Sequence, residues 1–230
     1  MIRKIISFIT VSVLCVMIFS GCGRKYVSLD DVEILNYTRP QSGEKIAVIS
    51  IKDYGDIKIK LFPEQCPKGV ENFEKLIESG YYDGTVFHRV IQNFMIQGGD
   101  PTGTGSGGES IWGDGFEQEI NSGLRHFSGA VSYATSDDKL NGSQFFIVTG
   151  VSDIDFQSLS DNGYYFPENV ADMYRSAGGY PPLDGDYEVF GQVFEGLEIC
   201  FKIAAVQTDE NNRPVSDIVI EKAQITEFEN

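Results

Sequence analysis

A chain of 230 residues with a formal net charge of −16 is long enough to bury a core without metals or disulfide staples, as a single domain. That acidity suits it poorly to binding nucleic acid through its phosphates. It reads instead as a solvated, self-repelling surface.

The chain opens with Arg3 and Lys4, followed by an uncharged apolar run over residues 5–19. Such a run is shorter than the ~20 residues a membrane span requires and has the layout of an export signal. It ends in Phe19-Ser20-Gly21-Cys22, where small residues directly precede a cysteine. This resembles a bacterial lipobox, in which Cys22 becomes the lipidated first residue of the mature chain and residues 1–21 are removed. Phe19 departs from the pattern, which favours an aliphatic residue there. Ordinary secretory cleavage and an uncleaved anchor are the alternatives, and each exports the domain. Losing residues 1–21 takes away Arg3, Lys4 and no acid, so the net charge becomes −18. The lipid-anchored reading places the domain on the extracytoplasmic side of the cell membrane.

Residues 22–43 are polar and mixed, with the breaker cluster Arg39-Pro40-Gln41-Ser42-Gly43, and are expected to be a tether. The folded domain is expected over 44–230. It begins with Lys45-Ile46-Ala47-Val48-Ile49-Ser50-Ile51 and, past Asp53-Tyr54-Gly55-Asp56, Ile57-Lys58-Ile59-Lys60-Leu61. Two β-rich runs around a glycine turn predict a hairpin. Pro67 sits where a first helical residue belongs, and Val70, Phe73, Leu76 and Ile77 follow at helical spacing until Gly80. Further strands are predicted over 85–91, 94–97, 130–134, 144–149, 189–194 and 218–228, with a second helix over 197–205. Many short strands with a helix near each end predict a closed or nearly closed β-barrel. Residues 151–181 differ in texture, being rich in acids with a possible helix from 167 to 175 ending at Gly178-Gly179. They read as an insertion in a loop, either functional or a passive excursion.

Several chemistries are poorly matched. There are two histidines, His88 and His126, with no cysteine or acid at metal-ligand spacing around them, so no metal site is expected. A G-x-S-x-G nucleophile elbow is missing from the sequence. Gly103-x-Gly105-x-x-Gly108 formally matches a dinucleotide fingerprint, but no patterned helix follows it. Nucleotide binding there stays open as a competing reading. Of the four cysteines, Cys15 lies in the export signal and Cys22 at the lipid position. Cys66 and Cys200 are left; an exported compartment permits them to pair, but two buried thiols are the default.

Five ordered blocks carry a family resemblance. They are Phe62-Pro63-x-x-x-Pro67-x-x-Val70-Glu71-Asn72-Phe73; Phe87-His88-Arg89-Val90-Ile91; Phe94-Met95-Ile96-Gln97-Gly98-Gly99-Asp100; Asn141-Gly142-Ser143-Gln144-Phe145-Phe146-Ile147; and Leu183-Asp184-Gly185-x-x-x-Val189-Phe190-Gly191. Their order and spacing resemble cyclophilins, the peptidyl-prolyl cis–trans isomerases, from about residue 45 to 228. The resemblance implies a mainly β fold: an eight-stranded antiparallel barrel capped by two α-helices, here with the 151–181 insertion. It implies rotation about X–Pro bonds, with proline-containing peptides and folding exported proteins as partners, no cofactor, and a monomer.

By the same resemblance Arg89 is the catalytic arginine, and Gln97 hydrogen-bonds the substrate backbone. Phe94, Met95, Phe146 and Leu183 receive the proline ring, while Ala134, Thr135, Ser136 and Gln144 line the neighbouring groove. Tyr187 stands where the family has a histidine, and Thr135 where it has an asparagine. The tryptophan common before Leu-Asp-Gly is Pro182 here, which implies weak inhibition by cyclosporin. His88 and His126 are expected to be structural. The competing reading within the same fold is a catalytically idle module that binds a peptide or a partner.

Overall fold

A strand that buries one face of its side chains needs a partner for its backbone groups on each edge, and that requirement closes this sheet. The computed structural model describes residues 32–229; residues 1–21, read as an export signal, and Cys22, the expected lipidation position, lie outside them. Strands β1 (Lys45–Ile51) and β2 (Gly55–Leu61) form the expected hairpin, with Ala47 opposite Ile59 and Ile49 opposite Ile57. All four side chains are fully buried.

The remaining strands are β3 (Arg89–Ile91), β4 (Met95–Gly98), β5 (Phe116–Glu117), β6 (Ala130–Thr135), β7 (Leu140–Val148), β8 (Val189–Glu195) and β9 (Ile220–Glu227). Their order is β3-β4-β7-β6-β8-β2-β1-β9, all antiparallel, with the two-residue β5 paired to β7 off this path. The two ends of the path meet. Val86 bridges Val219, Phe87 N–H donates to Ile218 O, and Gly84 and Thr85 exchange backbone bonds with Ile220. The sheet therefore curls back on itself as a barrel, which removes most of its open edge. This closure is why the strand expected over 85–91 is short. Its first half pairs with the approach to β9, and only Arg89–Ile91 pairs with β4.

The first helix, α1 (Pro67–Glu78), buries Val70, Phe73, Leu76 and Ile77 and packs on β7, β8 and β9. Phe73 meets Tyr82, Phe145 and Phe190 at ring distances of 5.4, 5.4 and 4.9 Å. These tilted and edge-on geometries are the ones aromatic quadrupoles favour. The insertion holds two helices, α2 (Phe156–Asp161) and α3 (Glu168–Ala177). The last helix, α4 (Leu197–Ala204), buries Ile199, Cys200 and Ile203 against β2, β3 and β4. Cys66 and Cys200 are both buried free thiols. Burial raises the pKa of each, that of Cys200 to about 12.

Part of the segment expected as a tether is docked. Asn36 is 2% exposed; its amide donates to Arg125 O and Gln192 Oε1, and its Oδ1 accepts from Arg125 N–H. Ile34 and Leu35 pack against buried clusters of the domain, and the Tyr37 ring lies 5.4 Å from Phe127. The polar composition of 22–43 hid this, because one buried asparagine with satisfied amide groups anchors the stretch.

Candidate active site

Strand register, more than sequence proximity, assembles the site. Arg89 on β3 is the direct partner of Gln97 on β4, and Gln97 is the direct partner of Phe146 on β7. Directly opposed residues project to the same face of a sheet. Three side chains scattered over 58 positions of sequence thus stand in a row across three strands. Arg89, Phe94, Met95, Gln97, Ala134, Thr135, Phe146, Leu183 and Tyr187 together line a cavity of about 220 Å³. Ser136 and Gln144 line an adjoining groove of about 660 Å³, which shares Gln97, Ala134 and Thr135 with that cavity. The structure therefore brings the expected site residues of the barrel into two connected hollows, and Cys22 lies outside the described residues.

Polar groups form a relay along one wall. Arg89 Nη1 donates to Gln97 Oε1 at 3.2 Å, and Gln97 Nε2 donates to Gln144 Oε1 at 2.9 Å. Gln144 Nε2 then donates to the carbonyls of Gly105 and Gly107 at 3.0 and 2.7 Å. Among the described residues the bond to Gln97 is the only side-chain hydrogen bond of Arg89, and no carboxylate lies within ion-pair distance of it. A half-buried guanidinium in that state keeps most of its donor fork available to a bound chain.

The glycine-rich loop turns its amides on its own carboxylate. Asp100 accepts N–H bonds from Thr102, Thr104, Gly105 and Gly107 at 2.6–3.2 Å. Burial by itself would raise the pKa of Asp100, but the hydrogen bonds from Thr102, Gly107 and Gly105 together outweigh it and hold the group at about 2. A Cβ at Gly107 would stand 2.5 Å from Asp100 Oδ1, so glycine is required there. The concavity that suggested a phosphate cradle is filled from within. No helix directly follows it among the described residues, in keeping with the weak fingerprint, and the stretch forms a tight loop beside the groove.

Behind the apolar wall lies a second polar centre that the sequence did not single out. Asp184 is 4% exposed at its side chain and accepts from His126 N–H, His126 Nδ1 and Tyr174 O–H at 2.9, 2.9 and 2.8 Å. The Arg125 guanidinium is 3.6 Å away. His126 also reaches Ser132 Oγ at 3.2 Å and stacks on Phe146, with ring centroids 6.1 Å apart. His126 thus braces the floor of the cavity. His88 is buried with neither ring nitrogen partnered among the described residues, and desolvation lowers its pKa. Of the two histidines, His126 therefore has a bracing role through its bonds, whereas the His88 ring makes none among the described residues. The one sequence signal for Asp184 was its place in Leu-Asp-Gly, which says nothing of its partners.

Comparison with known proteins agrees with this geometry. The profile of the family described as cyclophilin type peptidyl-prolyl cis-trans isomerase/CLD matches residues 46–225. A Staphylococcus aureus protein named for peptidyl-prolyl cis-trans isomerase activity is 45% identical over 189 residues, covering 81% of this chain and 94% of its own. A Staphylococcus saprophyticus protein with the same name is 43% identical over 188 residues, with the same coverage. Among solved structures, a Cryptosporidium parvum cyclophilin type isomerase, crystallised in the presence of the dipeptide Ala-Pro, superposes with a TM-score of 0.63. It is 36% identical and covers 80% of this chain and 99% of its own. By its barrel, its profile match and these relatives, the chain belongs to the cyclophilin-type peptidyl-prolyl cis-trans isomerases.

Proposed function

We propose that this isomerase is an exported, lipid-anchored monomer that turns X–Pro bonds of proteins folding outside the cytoplasmic membrane, with Arg89 driving the rotation. An X–Pro amide keeps partial double-bond character, so rotation meets a barrier of ~18–20 kcal/mol and takes tens of seconds or longer. No covalent bond is made or broken. At the twisted transition state resonance is lost, and the prolyl nitrogen becomes pyramidal with a usable lone pair. A fixed donor aimed at that nitrogen binds the twisted amide better than either planar isomer, which is what catalysis requires.

The observation that carries this reading is Arg89: half-buried, free of any carboxylate among the described residues, and lining the cavity beside the apolar side chains of Phe94, Met95, Phe146 and Leu183. Its fork can reach a twisted amide while the proline ring is held in the cavity. Gln97, tied to Arg89 through Oε1 and to Gln144 through Nε2, is placed to grip the substrate backbone beside it. The Ala-Pro present with the Cryptosporidium relative supports a prolyl peptide as ligand, and the site's completeness within one chain supports a monomer.

An isomerisation assay on a proline tetrapeptide tests the catalytic reading. Arg89→Ala is expected to lower kcat/KM by about 10²- to 10³-fold, the loss typical of one transition-state donor. Equal rates in the two proteins, or none in the wild type, would leave a peptide-binding module in place of an enzyme. The anchor rests on Arg3, Lys4, the apolar run over 5–19 and Cys22. Mass spectrometry of the mature N-terminus is expected to find lipid on Cys22, and Cys22→Ser to release the protein from the membrane fraction.

A further inference from the structure

We infer that Tyr180, delivered by the 151–181 insertion, is a specificity-determining residue that selects an aromatic or large apolar side chain beside the substrate proline. This rests on the cavity being the proline site. The Tyr180 ring stands 4.4 Å from the ring of Phe94, tilted by 48°. Phe94 lines the cavity; Tyr180 does not line it but stacks on its wall. With 38% of its surface exposed, the Tyr180 ring has both a packed part and a part open to solvent. Its hydroxyl has no partner among the described residues.

The ring's backbone is fixed rather than loose. Tyr180 N–H donates to His126 O at 2.8 Å, and its carbonyl accepts from Leu183 N–H at 3.2 Å. Gly178 and Gly179 just before it have φ of 74° and 141°, and Gly179 bridges Phe127. A Cβ at Gly178 would lie 2.7 Å from Gly150 O, and one at Gly179 would press into His126 O. Two glycines are therefore needed to bring the returning insertion flush against the barrel, and the first side chain after them is Tyr180.

Direction follows from the shape of the two hollows. The groove leaves the cavity past Gln97, Ala134 and Thr135, whereas Arg89, Phe94, Met95, Phe146, Leu183 and Tyr187 belong to the cavity alone, and of these Phe94 carries the Tyr180 ring. A peptide lying in the groove and placing its proline in the cavity continues on the other side over Phe94. The next surface there is the exposed part of Tyr180. An aromatic platform at that point rewards a neighbouring aromatic or bulky apolar side chain and gives little to alanine.

The test is the rate of cis–trans exchange, measured by NMR, on two prolyl tetrapeptide series in which the residue before or the residue after proline is Phe, Leu or Ala. In one of the series the wild type is expected to prefer Phe over Ala by about 2- to 10-fold in kcat/KM, the size of an aromatic pair contact. Most of that preference should sit in KM. Tyr180→Ala should bring the ratio to within about twofold of unity, and Tyr180→Phe should restore it. No preference in either series, a preference unchanged in Tyr180→Ala, or an equal loss across all peptides would overturn the inference. Arg89→Ala run in parallel separates the two readings. Its failure to slow any peptide defeats the catalytic proposal alone, because the Tyr180 ratio is read independently of it.

Discussion

The wall that carries Arg89, Gln97 and Phe146 and the lobe formed by residues 151–181 are fastened to the same barrel by opposite means. The wall is strand: each of the three residues is a ladder partner of the next, and the backbone bonds around them fix where the side chains point. The lobe has a small apolar cluster of its own, with Ile154, Phe156, Phe166 and Met173 packed around Val170 and Tyr174. Its short helix α2 buries no residue, and its cluster centres on Val170 and Tyr174 against Phe127 of the barrel. Beside that packing a buried polar centre fastens it, with Tyr174 O–H on Asp184 and Asp184 on His126 and Arg125. A ladder tolerates the loss of a side chain, because the backbone still pairs. A buried charge centre does not, because removing one member strands the others.

That contrast predicts a double dissociation, with the larger effect on the lobe side. Asp184→Ala leaves the Arg125 guanidinium without a counter-charge in a site where both side chains are 4% exposed. Two of its donor nitrogens already lack partners among the described residues. The expected cost is about 3–5 kcal/mol in urea denaturation, with amides of α3 losing protection from hydrogen exchange. Arg89→Ala should do the reverse. Its rate loss of about 10²- to 10³-fold should come with a change in stability within about 1 kcal/mol, since one hydrogen bond of 3.2 Å is removed and Gln97 keeps its bond to Gln144. If Arg89→Ala unfolds the protein as readily as Asp184→Ala does, the contrast between wall and lobe fails.

A third prediction concerns the interior between them. Glu188 is fully buried and uses one carboxylate oxygen to accept from Glu119 N–H and Asn141 Nδ2, while the other has no partner among the described residues. Burial raises its pKa from 4.5 to about 7. The folded state therefore holds this proton more tightly than the unfolded chain does, and stability should fall as pH rises from about 4.5 to about 7. The loss is about 3 kcal/mol from a shift of this size. His88 works the other way, since its lowered pKa makes stability fall as pH drops below its unfolded value. Asp100, held at about 2, is constant over this range. Comparing wild type with Glu188→Gln isolates Glu188: the variant should lose the downward slope between pH 5 and 7 in denaturation midpoints. Gly69 faces the unpaired oxygen so closely that a Cβ would overlap it, which explains a glycine in the first turns of α1.

The ladder was legible in the sequence because its information is local. β-rich runs, a proline at the start of α1 and five motif blocks fixed most strands to within a few residues, and the cavity residues came with the blocks. Less visible were features whose partners lie far apart. β5 is two residues long and has no periodicity to detect. Strand β7 begins at Leu140 rather than 144 because Asn141 pairs with both Thr135 and Phe116. The docking of Asn36 rests on bonds across 89 and 156 positions of sequence. Tyr180 appeared only as one more residue of an acidic, glycine-containing insertion, since nothing local places it against Phe94.

The smallest predicted effect separates the glycine-rich loop from the wall it touches. Gln144 joins them, accepting from Gln97 and donating to the carbonyls of Gly105 and Gly107. Removing it with Gln144→Ala leaves those carbonyls at the edge of an open groove, where water can replace the lost donor, so the cost should be about 1 kcal/mol. The loop should keep its shape, because its amides are ordered by Asp100 and not by Gln144. Hydrogen exchange at Thr102, Thr104, Gly105 and Gly107 should then stay slow in Gln144→Ala and quicken in Asp100→Asn, which removes the charge and replaces one of the two acceptor oxygens by a donor. Gln97 would meanwhile lose its far anchor and hold the substrate backbone less firmly, lowering kcat/KM by up to about tenfold through positioning. Fast exchange in Gln144→Ala would mean that the wall orders the loop, and that the two are one unit.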